Sequence, residues 1–380
     1  MFESLFKKSP DKLVKSGDTA FQRGDFEDAL DGYLEVVKLD KHREGIHERL
    51  GDTHFRMEDF DKAIKNYTTA VRLHSDNYEL YSKRADCYRE KKELVNAIAD
   101  YDKAIGIHKE DWSISIRKGH CEFEIGYFED ALQDYLRALE FDKEDPKLFE
   151  DIGDVYIKLD EPNLALNHYE ETKKLNSSNI YIHDKIGDAF KYLGKFEKAI
   201  EEYSIILRVK KSESYLYDKI GDCYQELENF EEAINFYLHS VQNSKNKVFI
   251  YDKLGTVYFK LGEYEKAIEE YSKSIKFAPD KFYFHSKRGR AYQKMGVFDQ
   301  AIINYSKAIG LNPSDSFSYN RRAESQHILG YFDKAIVDYN KTLELLGVKF
   351  DKVLELSDKK DLQIIKNMRD CIDGTPFLDE

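Results

Sequence analysis

A fixed period of 34 residues constrains this chain more than any other feature of its sequence. Steps of 34 from Gly17 visit Gly51, Ala85, Gly119, Gly153, Gly187, Gly221, Gly255, Gly289 and Ala323. The same step from Ala29 meets alanine ten times, ending at Ala335, and from Tyr33 it meets tyrosine ten times, ending at Tyr339. No insertion breaks the register between residues 10 and 349, so the chain holds ten repeats with positions 1–34, the first starting at Pro10. A period of this length marks a stacked-repeat architecture, in which each copy buries its apolar flank only against its neighbours. It replaces the two or three globular domains that 380 residues would otherwise suggest. It also explains the 27 tyrosines, ten of which fill position 24 and five more position 11.

Each repeat contains two apolar stripes at helical spacing, for example 182–193 and 196–207. Between them lies Gly24, Gly126, Gly194, Gly262, Gly296 or Gly330, where a left-handed residue ends the first helix. Small residues at positions 8 and 20 let the two helices approach closely, and the ring at 24 packs against the next repeat's first helix.

The pattern resembles the tetratricopeptide repeat (TPR) family, a 34-residue helix–turn–helix unit. Tyr251, Leu254, Gly255, Tyr258, Ala267, Tyr271 and Pro279 fall on the family's marked positions in one repeat. Departures are Arg84, Arg288 and Arg322 where a large aliphatic residue belongs at position 7, and Pro at position 32 only in Pro279 and Pro313. The resemblance implies an all-α, right-handed α-α superhelical solenoid. The expected organisation is a lead segment 1–9 with Phe2, Leu5 and Phe6 as staples, the array 10–349, and a C-terminal capping helix and tail 350–380. The cap would use Leu362, Ile365, Met368 and Ile372.

The formal net charge is −13, which argues against a dedicated nucleic-acid binder, since such a protein needs a basic surface. No apolar run approaches a membrane span, and the N-terminus lacks a secretory pattern, so a cytoplasmic protein is expected. Phosphate loops, metal-binding cysteine pairs and hydrolase elbows are absent, so the expectation is a non-enzymatic protein without cofactor, metal or catalytic residues. Cys87, Cys121 and Cys223 share position 10 and read as buried core thiols, and His47, His183 and His285 fill the aromatic packing slot at position 4.

Function therefore has to lie on a surface. The resemblance implies that first helices line a groove through positions 2, 5, 6, 9, 12 and 13. Position 6 is Lys or Arg in nine of ten repeats, while position 9 is acidic in six of the first seven. Three apart on one helix, these charges can pair with each other, and neighbouring repeats can add contacts. The pattern breaks twice. Glu150, Asp151 and Asp154 begin an acidic stretch that continues through Asp188 and Asp222. Repeats 9 and 10 carry Lys287, Arg290 and Arg321 with Asn320, and residues 282–349 hold a net charge of +4 against −17 elsewhere. Position 2 is aromatic from repeat 6 onward, including Tyr215, Phe249, Tyr283 and Phe317. These residues, with Lys253, form the candidate peptide-binding set, and an acidic partner segment is expected at the basic end. The residue set with which some family members grip acidic chaperone tails is not present: repeat 1 offers Val14 and Asp18, and repeat 8 offers Asp252 and Thr256.

The expected role is a scaffold or adaptor for an unidentified protein or peptide partner, with no membrane and no nucleic acid. An RNA-backbone site at Lys83, Arg84, Arg117 and Lys118 is the least favoured reading. Self-association through the ends of the array is the alternative to partner binding.

Overall fold

The computed structural model describes residues 9–41, 43–347 and 359–373. Phe2, Leu5, Phe6 and the side chains of Leu362 and Ile372 lie outside the described residues. Among those described, the elements are 21 helices with no strand. The chain forms two compact halves, Met1–Leu193 and Gly194–Glu380.

The N-terminal half contains α1 (Pro10–Arg23), α2 (Phe26–Leu39), α3 (Ile46–Arg56), α4 (Phe60–Leu73), α5 (Tyr78–Glu90), α6 (Leu94–Ile107), α7 (Trp112–Ile125), α8 (Phe128–Phe141), α9 (Pro146–Lys158), α10 (Pro162–Leu175) and α11 (Ile182–Tyr192). The C-terminal half contains α12 (Phe196–Val209), α13 (Ser214–Glu226), α14 (Phe230–Asn243), α15 (Val248–Lys260), α16 (Tyr264–Phe277), α17 (Phe282–Lys294), α18 (Phe298–Leu311), α19 (Ser316–Ile328), α20 (Phe332–Leu345) and α21 (Lys359–Asp373). Within each half every helix packs on the one after it, the arrangement of a tandem helix-pair solenoid.

The invariant positions carry the core. All ten position-20 alanines are fully buried, and the ten position-24 tyrosines are at most 3% exposed. In seven repeats the ring lies across the position-8 glycine of its own repeat: a Cβ on Gly153 would sit 2.3 Å from the Tyr169 ring, well inside any real contact. Glycine there is a consequence of the tyrosine. The same ring also reaches forward, as Tyr33 does to Ile46 and Leu50 of the next first helix. One residue type thus ties a helix pair together and joins it to its neighbour.

The turn between the two helices is left-handed in more repeats than the glycines suggest. Gly24 and Gly262 have φ of 86° and 79°, yet Glu58, Lys92, Asp160 and Glu228 occupy the same position with φ of 57° to 63°. Two of these side chains also reach the following repeat: Lys92 donates to Glu124 at 2.8 Å, and Asp160 accepts from the Tyr192 hydroxyl.

Arginine at position 7 has a packing explanation. Arg84 makes a two-pronged pair with Asp100, at 2.6 and 2.7 Å, and donates to Thr68. Arg322 does the same with Asp338 and Ser306. Arg288 meets Asn304 and Ser272, and burial lowers its pKa from the ordinary arginine value. Lys118, at the same position in repeat 4, sits 2.9 Å from Asp134 and from Asp102. The cation and its partner are 16 residues apart each time, across one helix pair. At the C-terminal end, Ile364, Ile365, Met368 and Cys371 of α21 cluster with Ala335, Tyr339 and Leu343 of α20.

Candidate interaction face

The charges of the first helices pair mainly between repeats, as a ladder, and less often within a helix. Arg49 donates to Asp18 at 2.8 Å, and Lys83 reaches Glu48 and Asp52 at 2.7 and 3.0 Å. Arg117 meets Asp86 at 2.6 Å, and Lys185 meets Asp154 and Glu150 at 2.5 and 3.0 Å. In the C-terminal half Lys253 pairs with Asp218 and Asp222 at 2.8 and 2.7 Å, and Lys287 with Asp252 at 2.6 Å. The partners lie 31 or 35 residues apart, so each position-6 cation sits against positions 5 and 9 of the preceding repeat. The three-residue pairing expected within a helix gives way to this geometry because stacking sets the preceding first helix's acids closer to the cation. It survives at Arg321 and Glu324, 2.8 Å apart.

Tyrosine completes the rungs. The hydroxyls of Tyr33, Tyr67, Tyr101, Tyr169 and Tyr237 donate to Asp18, Asp52, Asp86, Asp154 and Asp222 at 2.6–2.9 Å. Burial, followed by the adjacent carboxylate, raises the pKa of each of these phenols. Burial by itself would lower the pKa of Lys253, but Asp222 and Asp218 outweigh it and hold the ammonium above its ordinary value. Half-exposed ion pairs of this kind contribute about 0.2–1 kcal/mol each. The ladder is therefore a modest link between repeats that also neutralises most of the face.

The acidic stretch is largely compensated. Glu150 is shared by Lys185 and Lys147, and Asp151 by Lys147 and His120, at 2.9–3.1 Å. Burial would raise both carboxyls, but these hydrogen-bonding partners outweigh it and hold them below their ordinary values. Asp154 and Asp222 are rungs of the ladder, and Asp188 likewise is not a free carboxylate. Lys83, Arg84, Arg117 and Lys118 are all engaged by carboxylates, so the grouping considered for RNA offers no uncommitted cations.

Of the three candidate cations at the basic end, two are matched by carboxylates among the described residues. Arg321 is held by Glu324, which also accepts from Asn320 at 2.9 Å and from Gln293 at 3.2 Å. Lys287 is matched by Asp252. Arg290 is exposed, forms no ion pair among the described residues, and places its guanidinium carbon 4.7 Å from the Phe259 ring centre. Phe259 stands at position 12 one repeat earlier, and a sequence reading of isolated helices does not bring the two together.

Three of the four candidate position-2 rings remain in solvent. Tyr215, Phe249 and Phe317 are 38%, 52% and 41% exposed. Tyr283 is half-buried and leans edge-on against Phe284, with centroids 4.4 Å apart. Arg321 covers one face of Phe317, and Lys219 one face of Tyr215. The ring contacts of Tyr283 are thus with its own helix, whereas Phe249 reaches across to the next repeat, its centroid 6.5 Å from that of Phe284.

The buried groups outside this face read as structural. Cys87, Cys121 and Cys371 are buried thiols that burial pushes up to about 12, 11 and 11. His285 is buried beside the Pro279 carbonyl, whereas His47 is half-buried and within 3.4 Å of Asn66. No group of three or more His, Cys, Asp or Glu among the described residues is placed to hold a metal ion. No helix there is long and apolar enough to cross a membrane.

Family models described as tetratricopeptide repeat match residues 48–111, 214–247 and 284–315, and one described as TPR repeat matches 255–296. Among solved structures, the C-terminal part of a TPR repeat-containing protein from Cytophaga hutchinsonii is similar with a TM-score of 0.54. It is 19% identical, covering 66% of this chain and 99% of its own, a likeness of fold. The crystal structure of MamA is 26% identical over 43% of this chain and 95% of its own, with a TM-score of 0.41. YrrB, described as a TPR protein with an unusual peptide-binding site, is 21% identical over 48% and 95%, with a TM-score of 0.43. Among curated proteins none matches by sequence.

Proposed function

Because this chain belongs to the tetratricopeptide-repeat family, we propose that it is a non-enzymatic scaffold whose first helices hold a segment of a protein partner, chiefly along α13, α15, α17 and α19. The observation that carries this reading is the contrast between a ladder closed on itself and a set of exposed rings, Tyr215, Phe249 and Phe317, on the same helices. Aromatic anchors dominate the energetics of many interfaces, and exposed rings repeated at one position of successive helices give a partner segment several equivalent footholds. Modest contacts over several repeats then add up.

Cross-linking of captured partners, read out by mass spectrometry, tests the reading. Partner cross-links should concentrate on first helices of the C-terminal half. Cross-links confined to second helices or to the inter-helix turns would refute it. Self-association through the array ends is the second reading. It is less favoured at the C-terminal end, where Ile364, Ile365 and Met368 already cover part of the last helix pair. Sedimentation over a range of concentrations separates the two.

A further inference from the structure

The ladder changes character between repeats 9 and 10. At every earlier step described within a half, the position-6 residue meets an oppositely charged or hydrogen-bonding partner on the preceding first helix. Here the two positions that hold acids elsewhere are Ser286 and Arg290. Ser286 accepts a hydrogen bond from Ser318 at 2.9 Å. Arg321, which should have found a carboxylate at position 9 of α17, faces another guanidinium position instead and turns to Glu324 on its own helix. Glu324 is already engaged by Arg321, Asn320 and Gln293, and Arg290 has no ion-pair partner among the described residues.

Arg290 is also held in a definite attitude. Its guanidinium carbon lies 4.7 Å from the Phe259 ring centre, a cation–π contact that favours this placement of the side chain while its N–H groups stay exposed to a partner. A planar, pre-oriented fork of donors matches a carboxylate with two parallel hydrogen bonds. Tyr283 and Arg290 stand seven residues apart on one face of α17, which at 1.5 Å per residue is about 10 Å. That is about three residues of an extended chain.

We propose that Arg290 anchors the side-chain carboxylate of an Asp or Glu within the bound segment, with an apolar side chain about three residues away lying against Tyr283 or Phe249. The inference rests on the groove reading above and adds the chemistry of the ligand to it. The carboxylate comes from within the segment, not from a chain terminus, because aromatic positions flank Arg290 on both the preceding and the following repeat.

A random twelve-residue phage-displayed peptide library panned on the full chain, in parallel on Arg290→Gln, tests it. Lys276→Gln, an exposed second-helix change of equal charge, serves as the control. Enriched peptides on the wild type and on Lys276→Gln should share an Asp or Glu about three residues from an apolar residue, and Arg290→Gln should lose that preference. Synthetic copies with both termini blocked should lose tenfold or more in affinity when the acid is changed to its amide or when Arg290 becomes Gln. The two changes together should lose no more than either one. Arg290→Lys, which keeps the charge but not the fork, should fall between. Enrichment of peptides without an acid, or acidic peptides that bind Arg290→Gln as tightly as wild type, overturns the inference and leaves the groove reading standing. No enrichment above bare support overturns both.

Discussion

Glu122→Gln should make the protein more stable at neutral pH, and the gain should disappear in acid. Glu122 stands at position 11, where five other repeats place tyrosine, and its side chain is 4% exposed. It shares the Lys118 ammonium, at 3.1 Å, with Asp134 at 2.9 Å and the more exposed Asp102 at 2.9 Å, while Arg137 lies 3.7 Å from Asp134. Two buried carboxylates thus depend mainly on one cation, and burial followed by Asp134 pushes Glu122 up to about 7 from its ordinary 4.5. A carboxyl whose pKa is raised on folding holds its proton more tightly in the folded chain. Below pH 4.5 both states are protonated and there is no penalty. Between pH 4.5 and 7 the unfolded chain releases its proton first, and stability falls until the folded carboxyl also ionises. At about 1.4 kcal/mol per pKa unit the full difference is about 3 kcal/mol, an upper bound that relaxation of the site reduces to about 1–3 kcal/mol. Glutamine keeps the shape of the protonated acid and never ionises. Urea unfolding of wild type and variant at pH 5, 6, 7 and 8 should therefore show a gap that widens with pH in favour of the variant. Repeat arrays need not unfold in one step. Amide exchange in α7 and α8, compared between the two proteins at each pH, localises the effect. A gap that is constant or closes as pH rises would refute the argument.

The remaining expectations concern the backbone and the buried pairs. Replacing Asp338 by leucine strands the Arg322 guanidinium, whose partner is 3% exposed, and should cost about 3–5 kcal/mol in the last repeats. Replacing both by leucine should recover most of that loss, as read from urea midpoints, and a double variant as damaged as the single would sink the account. At the left-handed turn, Glu228→Gly should raise the melting temperature through a gain of about 0.5–1 kcal/mol, since a β-carbon there costs about 1–2 kcal/mol and glycine returns part of it as entropy. Gly262→Ala at the same position, with φ of 79°, should be destabilising by a comparable amount. If the two changes shift stability in the same direction, the turn is not what limits it.

Much of this architecture depends on what one helix pair's own residues can do, and that much is legible in the sequence. A tyrosine at position 24 lying across position 8 needs glycine or alanine beneath it, so the period, the paired helices and the buried alanines follow from local spacing. The turn was partly legible: glycine marks it in six repeats, while Glu58, Lys92, Asp160 and Glu228 adopt the same conformation without that marker. The buried pairs also left a trace, since Arg84, Lys118, Arg288 and Arg322 each have Asp or Asn 16 residues later. A reading in steps of three and four passes over it. The charge of the candidate face depends on which helix lies beside which. From sequence, Lys185 and Asp188 look like neighbours, and Glu150 and Asp154 look like a bare acidic patch. Stacking instead puts Lys185 against Glu150 and Asp154, and Lys253 against Asp218 and Asp222. Once those charges are matched, the candidate set at the basic end reduces to Arg290, with Phe259 beneath it. Periodicity can assign a side chain to a face, but a charge is free or matched according to the distance to a neighbour 31 or 35 residues away, and only packing sets that distance.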